Sequence, residues 1–376
     1  MLNQLILTNF KSYLRTNINF RPLTVMSGLN SAGKSTVIQS LLLLRQSYYC
    51  QSDMSRLLIN GDYVDLGSGR EILNDSADIN LIGIGINGIE WQYHVPVNND
   101  ESDVLKLHKI ISKDQSYSEQ ELFSDNNFEI ISAERVSPSL LYSSKSRSQL
   151  GTHGEYAYSY LNEKSSDSVP QVVRRTYTHD NVFDNTLRAQ VNAWMDVIAP
   201  GTSIRVQNIP QTHNVQPRIL AQSGADFSPV NSGFGITYAL PVILAMLKGS
   251  GKLILLENPE VHIHPRGQRM LGELIARSVA SGAQVILETH SDHILNGIRL
   301  AVKHNILDKD QVGLNYVEQK FVSESEDEND KEIEFSNRIL QSVVDVIYMA
   351  DDGSLDHWPK GFFDEWNYAL RELMRP

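Results

Sequence analysis

The stretch GLNSAGKST, Gly28 to Thr36, constrains this chain more than any other feature. It matches the pattern G-x-x-x-x-G-K-[ST] in full. A short apolar run, Leu23 to Met26, precedes it, and VIQSLLLLRQSYY follows, apolar almost all round and so a buried helix. In a strand–loop–helix of this kind, glycines let the backbone wrap closely around phosphate, and successive N–H groups at the helix N-terminus face the negative charge. Gly28, Asn30, Ser31, Ala32, Gly33, Lys34, Ser35 and Thr36 are therefore expected to hold a nucleotide. Lys34 would reach the β- and γ-phosphates, and the Ser35 hydroxyl would bind Mg2+.

The rest of the chain reads as an α/β protein. Strands are expected at Leu5–Leu7 and Ile18–Phe20, and residues 62–97 are strand-like and rich in glycine. From Ser223 onward, a glycine-rich turn leads to a helix (Tyr238 to Leu247), the strand LILL (Leu253 to Leu256), a helix (Gly267 to Val279) and the strand QVIL (Gln284 to Leu287). Alternating strands and helices imply a mostly parallel sheet with helices on its faces. Residues 98–215 are polar and irregular and read as an inserted lid or helical subdomain. The expected division is 1–97, 98–215, 216–320 and 321–376.

A phosphate loop needs a second acid, placed at the end of a buried strand beside it. LILL followed by Glu257 supplies that acid, so Ser35 and Glu257 are the expected metal ligands. Asn258 stands where a water-activating base is usual; its amide can hold a water but cannot take its proton. Glu260 is the nearest carboxylate that could act instead. An alternative is a zinc site on His262 and His264, which would point the same way on a strand, with Glu257 or Glu260 as third ligand. Packing at a subunit interface is the other account of these histidines. His290, after QVIL, could donate to a γ-phosphate or be a satisfied structural histidine. Asn231, Ser232, Gly233 and Gly235 form a glycine-rich turn that opens a helix. With one phosphate loop already present, a second such turn suggests use in trans, between two subunits.

Composition limits the partners. A net charge of −12 argues against nucleic-acid binding over the whole surface, and much of the excess lies in Ser323 to Glu334. That run reads as a solvated loop or as a docking tail for a basic partner. Arg135, Lys145, Arg147, Arg174 and Arg175 could line a local groove for DNA or be scattered solvated side chains. The single cysteine, Cys50, rules out an internal disulfide and fits a reducing cytoplasm. No apolar run is long enough to span a membrane.

Taken in order, these stretches resemble the ABC-type ATPase heads of the SMC, RecF and OLD (overcoming lysogenization defect) proteins. Within them the likeness is to bacterial AAA-family ATPases with a short, uncharacterised C-terminal domain. It is carried by NFKSY, PLTVMSGLNSAGKST, ISAERVSP, GTHGEYAY, NSGFGITYALPVI, LENPEVHIHPRGQ, ILETHSDHILNGIRLAV and WPKGFFDEW. It is weakest between about 165 and 215 and across the acidic run. The resemblance implies a P-loop NTPase of ABC-ATPase head type, a mixed or parallel central sheet with an inserted subdomain. ATP and Mg2+ are the implied ligands, with His290 as switch histidine and Ser232, Gly233 and Gly235 as the signature turn. Asn258 departs from most ABC ATPases, although E-N-P-E looks usual for this subgroup, and the glutamine of the magnesium-sensing loop is not located. It further implies a head-to-tail homodimer or higher even-numbered oligomer and, as in phage-defence systems such as Septu or retron-associated pairs, a separate effector. That effector would be a nuclease of HNH or TOPRIM type. The alternatives are a DNA-repair ATPase that grips duplex DNA and an ATP-stabilised scaffold with negligible hydrolysis.

Overall fold

The computed structural model describes residues 1–51, 53–96, 103–112, 123–144, 149–175, 184–323, 338–363 and 365–375, with residues 365–368 described in their backbone alone. Lys145, Arg147 and most of the acidic run lie outside the described residues.

The central sheet runs β16 (Arg338–Ile347), β15 (Val312–Ser323), β3 (Leu23–Gly28), β14 (Gln284–Glu288), β13 (Leu253–Glu257) and β8 (Phe128–Ile131). From β15 to β8 all neighbours are parallel, and β16 returns antiparallel along β15. Strands β3, β14 and β13 are mostly apolar because both faces of the sheet are covered. Ile254, Leu256, Val285 and Leu287 pack on one side with helices α5 (Phe234–Leu247), α6 (Pro265–Ala280) and α7 (Asp292–Lys303). Leu253, Leu255 and Ile286 pack on the other side with α1 (Lys34–Gln51).

Beyond α1 lies an antiparallel sheet in the order β2 (Tyr13–Asn19), β1 (Gln4–Phe10), β5 (Leu81–Ile86), β6 (Ile89–His94), β7 (Val104–Ser112) and β4 (Arg56–Leu58). α1 is thus sandwiched between two sheets, which is why apolar residues surround its axis. Its Arg45, fully buried, pairs with Asp125 at 2.6 Å. A one-turn helix, α2 (Gly69–Ile72), carries a Ser68–Glu71 capping box.

A third sheet holds β9 (Tyr142–Ser143), β10 (Thr202–Ile209), β11 (Asn214–Ala221) and β12 (Asp226–Phe227), accompanied by α3 (Ala157–Glu163) and α4 (Leu187–Ile198). The stretch 98–215 therefore serves all three sheets, since it also supplies β7 and β8. α8 (Glu365–Leu373) closes the described chain. The register of the central sheet brings acidic strand ends to the phosphate loop. Glu257 lies opposite Glu288, and Glu288 opposite Met26, so both carboxylates end strands beside the loop after β3.

Candidate nucleotide site

Gly28 opens the phosphate loop at φ 145, and an added Cβ there would stand 2.0 Å from the carbonyl oxygen of Val317. Only glycine fits so close an approach to β15. Ser31 takes the left-handed region at φ 62. Asn30 and Ser31 are exposed, Gly33 and Ser35 half-buried, and Ala32, Lys34 and Thr36 buried. Three contacts hold the loop from behind: Tyr13 Oη donates to Gly33 O (3.1 Å), Ser342 Oγ to Ala32 O (2.6 Å) and Gln319 Nε2 to Ser31 O (3.2 Å). Lys34 Nζ donates to Leu29 O at 2.6 Å, a position from which a phosphate could draw it. A cavity of about 290 Å³ lies over the loop, lined by Lys11, Ser12, Ser31, Gly33, Lys34, Ser35 and Thr36.

The Ser35 hydroxyl donates to Glu288 Oε1 at 2.9 Å. The neighbouring Glu257 accepts from Ala133 N at 3.2 Å. Burial, countered by the Ser35 hydroxyl and reinforced by Glu257, lifts the Glu288 carboxyl to about 7. Burial also raises the carboxyls of Glu257 and Glu260. Glu260 has both oxygens engaged: Oε2 accepts from Thr289 Oγ1 (2.9 Å) and Oε1 from His290 N (2.8 Å). It therefore fastens the segment that carries His290. Burial and the nearby charge of Lys34 lower the His290 pKa, which favours its neutral ring.

Asn258 has φ 40, a conformation asparagine tolerates better than most residues. Its N–H donates to Glu288 O at 2.8 Å, and its Oδ1 is buried without a partner among the described residues. Arg135 is 3% exposed, so it does not face a nucleic-acid backbone as its charge suggested. The loop after β8 turns it inward, where its Nη2 donates to Glu257 O (2.8 Å) and Asn258 O (3.1 Å). Burial holds its pKa down to about 10, against the pull of Glu260, Tyr238 and Glu257. Arg174 and Arg175 are also committed: Arg174 Nε donates to Val169 O, and Arg175 lies over the Trp194 ring, 3.8 Å from Glu273.

The turn Asn231–Gly235 lies at the N-terminus of α5, with Asn231 and Gly233 exposed. Ser232 Oγ donates to Pro229 O at 2.8 Å, and Gly233 caps the helix with no side chain. The histidines of the zinc alternative sit in a turn, not on a strand, and have different tasks. His262, at φ 63, packs against Phe234 and edge-on to Tyr238, while His264 Nδ1 accepts from Arg266 N and caps α6. Among the described residues no group of three potential ligands is placed to hold a metal by itself.

The residues do suit Mg2+ arriving with a nucleotide. Glu288 Oε2 is buried and unpartnered among the described residues, Ser35 offers a hydroxyl, and Glu257 adds a second hard oxygen donor. Reasoning from sequence gave Glu288 no part at the phosphate loop and passed over Lys11. The signal for Glu288 was present, a carboxylate ending QVILE two residues before His290. Nothing in the sequence signalled that Arg135 would be buried.

A search of curated proteins finds no significant match. Residues 307–373 match a "Protein of unknown function (DUF3696)". Among solved structures, an SMC head bound to the C-terminal winged-helix domain of ScpA is 14% identical, with a TM-score of 0.46, covering 91% of this chain and 97% of that one. The SMC head domain from Thermotoga maritima is 13% identical, with a TM-score of 0.41 and coverage of 85% and 95%. The Pyrococcus furiosus Smc head with an extended coiled coil, bound to the C-terminal domain of ScpA, is 12% identical, with a TM-score of 0.48 and coverage of 100% and 99%. The fold is α/β, a mixed central sheet with the phosphate loop between β3 and α1. Residues 23–296 match the family model described as "AAA domain, putative AbiEii toxin, Type IV TA system", and the chain belongs to that family.

Proposed function

We propose that this chain is a slow ATPase that closes a head-to-tail homodimer, or a higher even-numbered oligomer, around ATP. In this reading it acts in the cytoplasm as sensor or regulator of a separate effector, a nuclease of HNH or TOPRIM type, in anti-phage defence. The observation that carries the ATPase reading is the Ser35–Glu288 hydrogen bond, with Glu257 alongside at the mouth of the phosphate loop. Lys34 leaves Leu29 O for the β- and γ-phosphates, and the loop N–H groups orient the triphosphate. Ser35, Glu288 and Glu257 would hold Mg2+, which neutralises charge on the phosphate oxygens when bound. The Asn258 amide holds water without accepting its proton, and Glu260 is occupied with Thr289 and His290, so turnover is slow. The exposed Asn231–Gly235 turn supports use in trans, because ATP touching two subunits only when they close would favour the closed dimer.

Single-turnover hydrolysis tests this reading, with Lys34→Ala and Glu288→Gln as comparisons. The wild type should turn ATP over measurably and both variants far more slowly. Equal, near-zero rates in all three would leave a scaffold in which ATP is structural, the reading that the missing base at 258 favours. A pull-down that recovers no nuclease would remove the effector. The DNA-gripping alternative has lost Arg135, which is buried, and ATP-dependent DNA binding is not expected even at low salt.

A further inference from the structure

We propose that Arg135 and Tyr238 are positioning residues that tie the strand end carrying Asn258 to the Asn231–Gly235 turn, so that the two nucleotide contacts of one protomer respond to each other. The proposal rests on the nucleotide reading and adds the wiring within a single chain. Two parts of this surface meet ligand in that reading: the ends of β13 and β14 in cis, and the turn before α5 in trans. The chain between them is continuous. Arg135 Nη2 spans the carbonyls of Glu257 and Asn258, and its guanidinium carbon lies 5.7 Å from the Tyr238 ring centroid. Tyr238 meets His262 edge-on at 4.9 Å, and Phe234, one helical turn earlier, meets His262 at 5.4 Å. Gly235 closes the circuit, since a Cβ there would stand 2.5 Å from His262 O. Backbone meets backbone at that point, so the turn before α5 cannot shift without moving residues 258–264.

Arg135 is also not built like a purely structural arginine. Its Nε and Nη1 are buried with no hydrogen-bond partner among the described residues, as is the Oδ1 of Asn258. Buried donors are nearly always satisfied, and those left over mark a place where another arrangement is available. Here the guanidinium is held by two carbonyls and an aromatic face, and neither contact fixes its remaining donors. The Asn258 backbone, at φ 40, is held from one side by Arg135 and from the other by the carbonyl of Glu288. Moving Tyr238 therefore moves the residue best placed to hold a water.

The test uses the full chain and the variants Arg135→Lys, Tyr238→Leu and Tyr238→Phe. Binding of a fluorescent ATP analogue with Mg2+ is measured first, then kcat. Hydrogen exchange of amides 231–238 comes next, with and without nucleotide, at concentrations where light scattering reports single chains. In the wild type, nucleotide should slow exchange in 231–238 several-fold. Tyr238→Leu and Arg135→Lys should bind the analogue within about twofold of wild type, lose that protection and lower kcat by roughly 10- to 100-fold. Tyr238→Phe keeps the ring face and should restore both. Retained protection and kcat in Tyr238→Leu would overturn the proposal, as would a Phe variant no better than Leu. Nucleotide affinity lost together with kcat would reduce both residues to supports of the fold and also overturn it. A wild type that binds no nucleotide would sink the nucleotide reading itself, an outcome visible in the binding measurement before any variant is compared. Should hydrolysis prove negligible while binding persists, the exchange measurement decides alone.

Discussion

Replacing Glu288 by glutamine should stabilise the nucleotide-free protein, and increasingly so as the pH rises. Glu288 is 5% exposed, its carboxyl is raised from 4.5 to about 7, and its Oε2 has no hydrogen-bond partner among the described residues. A carboxyl whose folded pKa lies above its unfolded value binds its proton more tightly in the folded state. Its contribution to stability is thus fully present below about pH 4.5 and lost as the pH climbs through 7. The shift corresponds to about 3 kcal/mol at alkaline pH, of which about 2 kcal/mol develops between pH 5.5 and 8.5. Unfolding entropy scales with chain length, so for 376 residues that amounts to roughly 2–3 °C in Tm. Glutamine does not titrate, and its oxygen can still accept from Ser35. Thermal unfolding followed by circular dichroism should therefore show Glu288→Gln gaining about that much on the wild type across this pH range. Added Mg2+ and a non-hydrolysable ATP analogue should reverse the order, since the variant gives up a metal ligand. A Tm gap that stays constant with pH, or that narrows toward alkaline pH, would refute the reasoning.

Binding of Mg2+ and ATP should tighten from pH 6 to pH 8, because a protonated Glu288 must ionise to serve the metal; calorimetry in buffers of different ionisation enthalpy would show a proton released on binding below pH 7. Gly28→Ala should cost about 3 kcal/mol or more, its Cβ driven into Val317 O from a backbone angle that alanine avoids, and should show as a lowered Tm and lost nucleotide affinity. Asn258→Glu places a base at the strand end in a left-handed conformation that costs about 1 kcal/mol; single-turnover hydrolysis should rise at least about tenfold while Tm falls slightly.

How legible each part was depends on the range of its causes. The phosphate loop, the strands LILLE and QVILE and the helices around them depend on local pattern and periodicity, and they stand within a few residues of expectation. Glu288 was visible as a strand-ending carboxylate, but its pairing with Ser35 depends on β14 lying between β3 and β13. That strand order comes from packing of residues more than 250 positions apart. The stretch 98–215 looked irregular because β7 and β8 find their partners in sheets built by other parts of the chain. The zinc alternative at His262 and His264 fails for a local reason: positive φ at Asn258 and His262 makes the segment a turn, so spacing by two no longer means a shared face. Arg135 misled because charge in a polar stretch ordinarily signals surface, whereas here the strand β8 delivers it beneath the end of β13.

The electrostatics of the strand ends argue for a ligand that carries both signs. Burial raises the carboxyls of Glu257, Glu260 and Glu288, and burial lowers Lys34 and Arg135. In each case desolvation outweighs the opposite charges nearby, so the pairs present do not satisfy one another. A metal cation alone would relieve the acids and crowd Lys34; an anion alone would relieve Lys34 and crowd the acids. A triphosphate with Mg2+ would do both at once: Lys34 and the loop N–H groups would meet phosphate, and Ser35, Glu288 and Glu257 would offer oxygens to the cation. The same imbalance gives occupancy a mechanical consequence. Neutralising the acids would weaken the field around Arg135, whose Nε and Nη1 have no partner among the described residues and whose guanidinium faces the Tyr238 ring.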